Sequence, residues 1–174
     1  MTMEDWFAVT NEQALRFFFE RLRDVSGESA APTNELLYNA SVLTHFATTS
    51  TTSTATFPAT PASLSVVFDL FVLDCSHHGD PELAEAAAAQ CLLLTGFFQD
   101  QLRHRHNVDW YASLGAGFYA AAARHANDGA RARMMQTMAR RFGLWRARQH
   151  RLATELREEP RLLRGIVTQV PWIM

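Results

Sequence analysis

The sequence predicts an all-α fold, a single-domain bundle of about six helices. Capping and proline signals open helices at several points, apolar residues recur three and four apart between them, and no segment shows confident strand alternation. With 174 residues, 48% hydrophobic and 20% charged, the chain is long enough to bury a core without disulfides or a structural metal.

The first helix is expected over about 11–25. Thr10 and Gln13 have the spacing of a capping box, and Ala14, Leu15, Phe17, Phe18, Leu22 and Val25 form its apolar stripe. Gly27 and Pro32 follow as breakers. A second helix runs from a Thr33 cap to about Phe46, with Leu36, Leu37, Ala40, Leu43 and Phe46 inward. Residues 48–61 hold seven threonines and two serines without helical period, so they read as a flexible loop; a hairpin is conceivable, but no Asn-Gly pair divides the run.

Thr60-Pro61 opens a third segment over about 62–75. It is apolar nearly all round and carries Val66-Val67, so helix and strand both stay open there. Asp80-Pro81-Glu82 is the clearest start: a capping carboxylate, a first-turn proline and an acid at the positive end of the helix dipole. The fourth helix continues to about Leu102, burying Leu83, Ala87, Cys91, Leu94, Phe98 and Leu102. A fifth helix begins at an Asp109 cap and carries Trp110, Tyr111, Leu114, Phe118, Tyr119 and Ala122. The turn at 127–129 is short enough to make the fifth and sixth helices antiparallel neighbours.

The sixth helix is expected over about 130–158. Met134, Met135, Met138, Phe142, Trp145, Leu152 and Leu156 are assigned to one arc, and Arg133, Arg140, Arg148 and Arg151 to the far side, with Leu144 outward among them. The apolar C-terminal tail, 165–174, includes Trp172 and Ile173, which suit packing on the core or docking on a partner.

Composition excludes several chemistries. All sixteen basic residues are arginine, which removes Schiff-base catalysis and a phosphate-loop lysine. Glu4 and Asp5 stand where an export signal carries positive charge, so a cytoplasmic protein is expected. The most apolar run, 86–98, is too short for a bilayer and reads as a core helix, so no membrane partner is expected.

Gly115–Ala120 matches GxGxxA, but that fingerprint works only between a strand and a helix; here it lies within a helix, where Gly96, Gly115 and Gly117 suit close helix packing. His77-His78 and His104-Arg105-His106 sit at expected helix ends, and neither HExxH nor ExxH occurs, so no metal or other cofactor is assigned. Cys75 and Cys91 lie in apolar runs, as inert core thiols do, and no GxSxG elbow is present, so no catalytic residue is assigned.

Two surfaces remain as candidates. One is a ligand pocket lined by Trp110, Tyr111, Phe118 and Tyr119, with a polar group from Asp69 or His125. The other is an interaction surface of Arg133, Arg140, Arg148 and Arg151 with the tail residues Trp172 and Ile173. Residues 124–164 carry 11 arginines against 4 acids, a balance of +7; the rest of the chain holds 5 arginines against 14 acids, or −9. The acidic remainder opposes attraction to phosphate polymers, so pairing with carboxylates of neighbouring helices or a second subunit is favoured over nucleic acid.

The segment 92–123, LLLTGFFQDQLRHRHNVDWYASLGAGFYAAAA, resembles a stretch of uncharacterised proteobacterial helical proteins. In these a leucine-rich helix ends in a GFFPE-like turn followed by a YYxxLGxxxY-like helix. Gln99 stands at the turn's usual proline, and Trp110-Tyr111 at the tyrosine pair. The resemblance implies a helical fold and a bacterial source and carries over no catalytic residue. The expected function is non-enzymatic, through protein contacts, most simply as a homodimer; the alternatives are a small-molecule-binding or enzymatic bundle, or nucleic-acid binding through the arginine face.

Overall fold

A computed structural model describes residues 3–29, 31–49, 79–104 and 106–163, with side chains from residue 12 onward and not for 47–49, 160 and 163. The fold is all-α, and among the described residues there is no strand. The helices are α1 (Met3–Ser26), α2 (Thr33–Thr49), α3 (Pro81–Thr95), α4 (Gln99–Leu102), α5 (Val108–His125), α6 (Gly129–Arg140) and α7 (Phe142–Glu158), followed by a 3₁₀ turn (Pro160–Leu163). No described helix is long and apolar enough to cross a membrane. The expected segment 62–75 with Asp69 and Cys75, the pair His77-His78, most of the threonine-rich run and the tail with Trp172 and Ile173 lie outside the described residues.

The chain forms two compact units, one of residues 1–55 with 151–174 and one of 56–150. In the first, α1 packs on α2. Ala14, Phe18, Leu22 and Val25 are buried as the stripe predicts, and Leu36, Ala40 and Leu43 are their counterparts on α2. Leu37 corrects the expectation: it is 47% exposed, and the buried face turns instead through Glu35 and Asn39. The Asn39 side-chain amide donates to the Glu35 carbonyl at 2.9 Å, which lets a polar residue occupy a core position. Helix α1 begins well before the expected Thr10 cap, because residues 3–10 are already helical and leave that threonine no terminal amides to satisfy. Gly27 ends the helix with φ +60°, in the left-handed region glycine enters without penalty.

In the second unit, α3 and α6 each pack on α5. The expected cap at Asp80 is present, its Oδ1 accepting from the Glu82 and Leu83 amides at 3.0 and 3.2 Å, and within the expected turn Asp128 caps α6, its Oδ1 accepting from the Ala130 amide at 3.1 Å. The cap of α5 is Asn107, whose Oδ1 accepts from the Trp110 amide at 3.1 Å; Asp109, the expected cap, lies in the first turn. The core-facing run of α3 is buried from Ala87 through Leu94 apart from Ala89, as the apolar segment predicts.

Two expected continuous helices are broken. The fourth stops at Thr95 and resumes at Gln99 after a turn at 96–98, and the sixth is interrupted at Arg141. Met135, Met138, Phe142 and Trp145 in this unit are buried on the expected arc, and Leu144 is exposed as expected. Arg148 is a correction to the arginine face. It is 7% exposed, with its guanidinium 4.8 Å from the centre of the Trp145 ring. Positions 145, 148, 149 and 152 share one helix face by their three- and four-residue spacing, so Arg148 belongs with the core residues.

Candidate functional site

The most constrained geometry in the second unit is the break between α3 and α4. The Gly96 amide still donates to Leu92 O at 2.8 Å, but the next bonds slip: Phe98 N reaches Leu93 O at 2.9 Å, and Gln99 N reaches Gly96 O at 3.3 Å. The Gln99 amide is therefore not spent on the Thr95 carbonyl, its partner in a continuing α-helix. Arg146 supplies a donor instead, its Nε lying 3.1 Å from that carbonyl. The same guanidinium reaches Asp109 Oδ1 through Nη1 at 3.1 Å, so one side chain ties the end of α3, the start of α5 and α7 together. Gly96 makes the approach possible, since an added Cβ would lie 3.1 Å from the Arg146 carbonyl and 3.1 Å from Gln149 Cβ.

The α3–α5 contact is equally close at Gly115. A Cβ there would stand 2.7 Å from both Cys91 Cβ and the tip of the Phe142 ring, so the packing role expected of Gly115 holds. Gly117 does not share it, because nothing lies within 4 Å of the position its Cβ would take. Cys91 is fully buried, and burial pushes its thiol up to about 12, which keeps it protonated and non-nucleophilic at neutral pH. Tyr111 is also raised, by burial first and by the nearby Cys91 second.

Around the break lies an aromatic corner. Leu94 and Leu102 are its buried floor, with Phe98, Val108 and Tyr111 packed on them. Trp110 meets Tyr111 edge to face at 4.8 Å, and His106 also meets Tyr111 edge to face, at 5.7 Å. Trp110 is 44% exposed.

The structure does not gather the expected pocket residues. Trp110 and His125 are fifteen residues apart on one helix, about 22 Å by the α-helical rise. His125 is exposed at the far end, and Tyr119 is fully buried with its ring 6.1 Å from Phe142. Phe118 is half-buried. Of the arginine face, Arg133, Arg140 and Arg151 are exposed as expected, and Arg148 is not. Arg131 forms an ion pair with Glu85, which is the pairing between neighbouring helices that the charge layout suggests. Arg146, Thr95 and Gln149 are the residues sequence reasoning missed; the one available signal was Gly96, whose close packing had been expected without its helix-breaking role.

No protein family, curated protein or solved structure matches the chain.

Proposed function

We propose that this is a non-catalytic helical protein that works through protein–protein contacts and associates with copies of itself. The observation that carries the reading is Trp110, a large aromatic side chain left 44% exposed on a rigid helix start, backed by Tyr111 and the packed corner beneath it. Tryptophan, tyrosine and arginine are the side chains that dominate binding energy at protein interfaces, particularly where a preorganised base holds them. The chemistry around this corner supports the same view. Cys91 is held protonated, and the Arg146 guanidinium is occupied by a backbone carbonyl and a carboxylate.

Sedimentation velocity over a wide concentration range tests the proposal. The expected result is a concentration-dependent mass for the natural chain and weaker association for Trp110→Ala with an unchanged thermal transition. A chain that stays monomeric at every concentration overturns it.

A further inference from the structure

Resting on that self-association reading, we infer that two copies meet through the outward face of α5, the helices running antiparallel about a twofold axis beside Gly117. The whole surface belongs to one helix. Trp110 stands seven residues before Gly117 and Arg124 seven after, and all three are exposed. Seven residues return an α-helix to within about 20° of the same direction, about 10 Å along the axis, so the three share one face. Asp109 is exposed at the flank of the Trp110 end, on the side to which Arg124 leans. One end of the face thus offers an aromatic ring beside a carboxylate. The other offers a guanidinium that, among the described residues, has no carboxylate at ion-pair distance.

This layout selects its occupant. A partner must bring a cation to the Trp110 end and an acid with an aromatic ring to the Arg124 end, about 21 Å away. A second α5 running the opposite way does both, because positions 110 and 124 are equidistant from 117. Arg124 of each copy then lies across Trp110 of the other and beside its Asp109. Arginine over an indole ring and arginine against a carboxylate are both attractive, and tryptophan and arginine are the residues in which interface energy concentrates. Asp109 gives Oδ1 to Arg146 and is still 90% exposed, so its second oxygen faces outward for this contact. The reversal also sets the positive end of each helix dipole beside the negative end of the other.

Gly117 marks the crossing point. Nothing in the chain lies within 4 Å of where its Cβ would stand, so unlike Gly115 it relieves no internal contact, although glycine is a poor residue for a helix interior. A bare backbone there lets the second helix come close enough for the ends to engage. The contact is isologous and is made twice, so it closes at two copies.

Sedimentation velocity of the full chain and its variants tests this. Gly117→Leu enters open space within the chain, so its thermal transition is expected to persist while self-association weakens at least about tenfold. Arg124→Glu and, separately, Asp109→Arg are each expected to weaken association about tenfold. An equimolar mixture of these two should restore it, because the mixed pair joins opposite charges at both ends. Thermal transitions verify that each variant folds; if Asp109→Arg unfolds the chain, Gly117→Leu and Arg124→Gln decide, each expected to weaken association.

A natural chain that associates but ignores Gly117→Leu, or folded charge variants whose mixture fails to restore association, overturns the α5 pairing and leaves self-association standing. A natural chain that is monomeric at every concentration overturns both.

Discussion

Arg146 donates from Nε to the carbonyl of Thr95 at 3.1 Å, a contact between residues 51 apart in sequence. It satisfies an acceptor released where α3 gives up its regular hydrogen bonding, and a part-buried acceptor without a partner is costly. Arg146→Met, which keeps much of the apolar stem, is expected to lower stability by about 1–3 kcal/mol in urea unfolding. Asp109→Asn should change it by at most about 0.5 kcal/mol, because Asp109 is 90% exposed and the pair is screened. Equal losses from the two substitutions would show that the ion pair, and not the carbonyl contact, carries the effect.

The two glycines of α5 should respond in opposite directions. Gly115→Ala drives a methyl group into Cys91 and Phe142, and overpacking of this kind costs about 1–3 kcal/mol. Gly117→Ala enters open space on a helix and should stabilise by about 0.5–1 kcal/mol. Thermal unfolding of the two variants beside the natural chain reads both signs.

Arg148 and Arg140 provide a second contrast. Arg148→Ala removes a buried guanidinium and its contact with the Trp145 ring, and a loss of at least about 2 kcal/mol is expected. Arg140→Ala, on the exposed side of α6, should stay within about 0.5 kcal/mol of the natural chain. Denaturant midpoints that move equally would contradict the different placements of the two residues.

The Cys91 thiol gives a pH prediction with a definite sign. Its ordinary value is 9.0, and burial pushes it to about 12 in the folded protein. Between those values the unfolded chain releases the proton while the folded chain keeps it, so stability falls as pH rises, by up to about 1.4 kcal/mol per pH unit. Below the lower value the contribution is fully present. Urea unfolding between pH 8 and 10 should show a shallower decline in Cys91→Ala than in the natural chain. At pH 8, peptide mapping after iodoacetamide treatment should find Cys91 unmodified in the folded protein and modified once it is unfolded.

Much of the architecture was legible because its causes are local. Asp80 is recognisable as a cap from its immediate neighbours, and Met135, Met138, Phe142 and Trp145 as core residues from spacing alone. The break at Gly96 was not, since its reason is the approach of Arg146 and Gln149 from a distant stretch of chain. Leu37, expected inward, is exposed while Asn39 is buried, because an amide that bonds to the preceding turn can be buried, which hydrophobicity does not register. The aromatic residues of α5 were correctly placed on one helix, but a shared helix spreads side chains along its axis and does not by itself make them converge.

The missing side chain at Gly115 has a consequence for how α5 can sit against α3. Sliding or rolling α5 by one residue would bring Leu114 or Ala116 to the same spot, and each carries the carbon that the Cys91 and Phe142 contacts leave no room for. Gly117, two positions along, points about 200° round the axis. The glycine is thus a key that fits one setting of the helix pair, and neighbouring registers are rejected by collision.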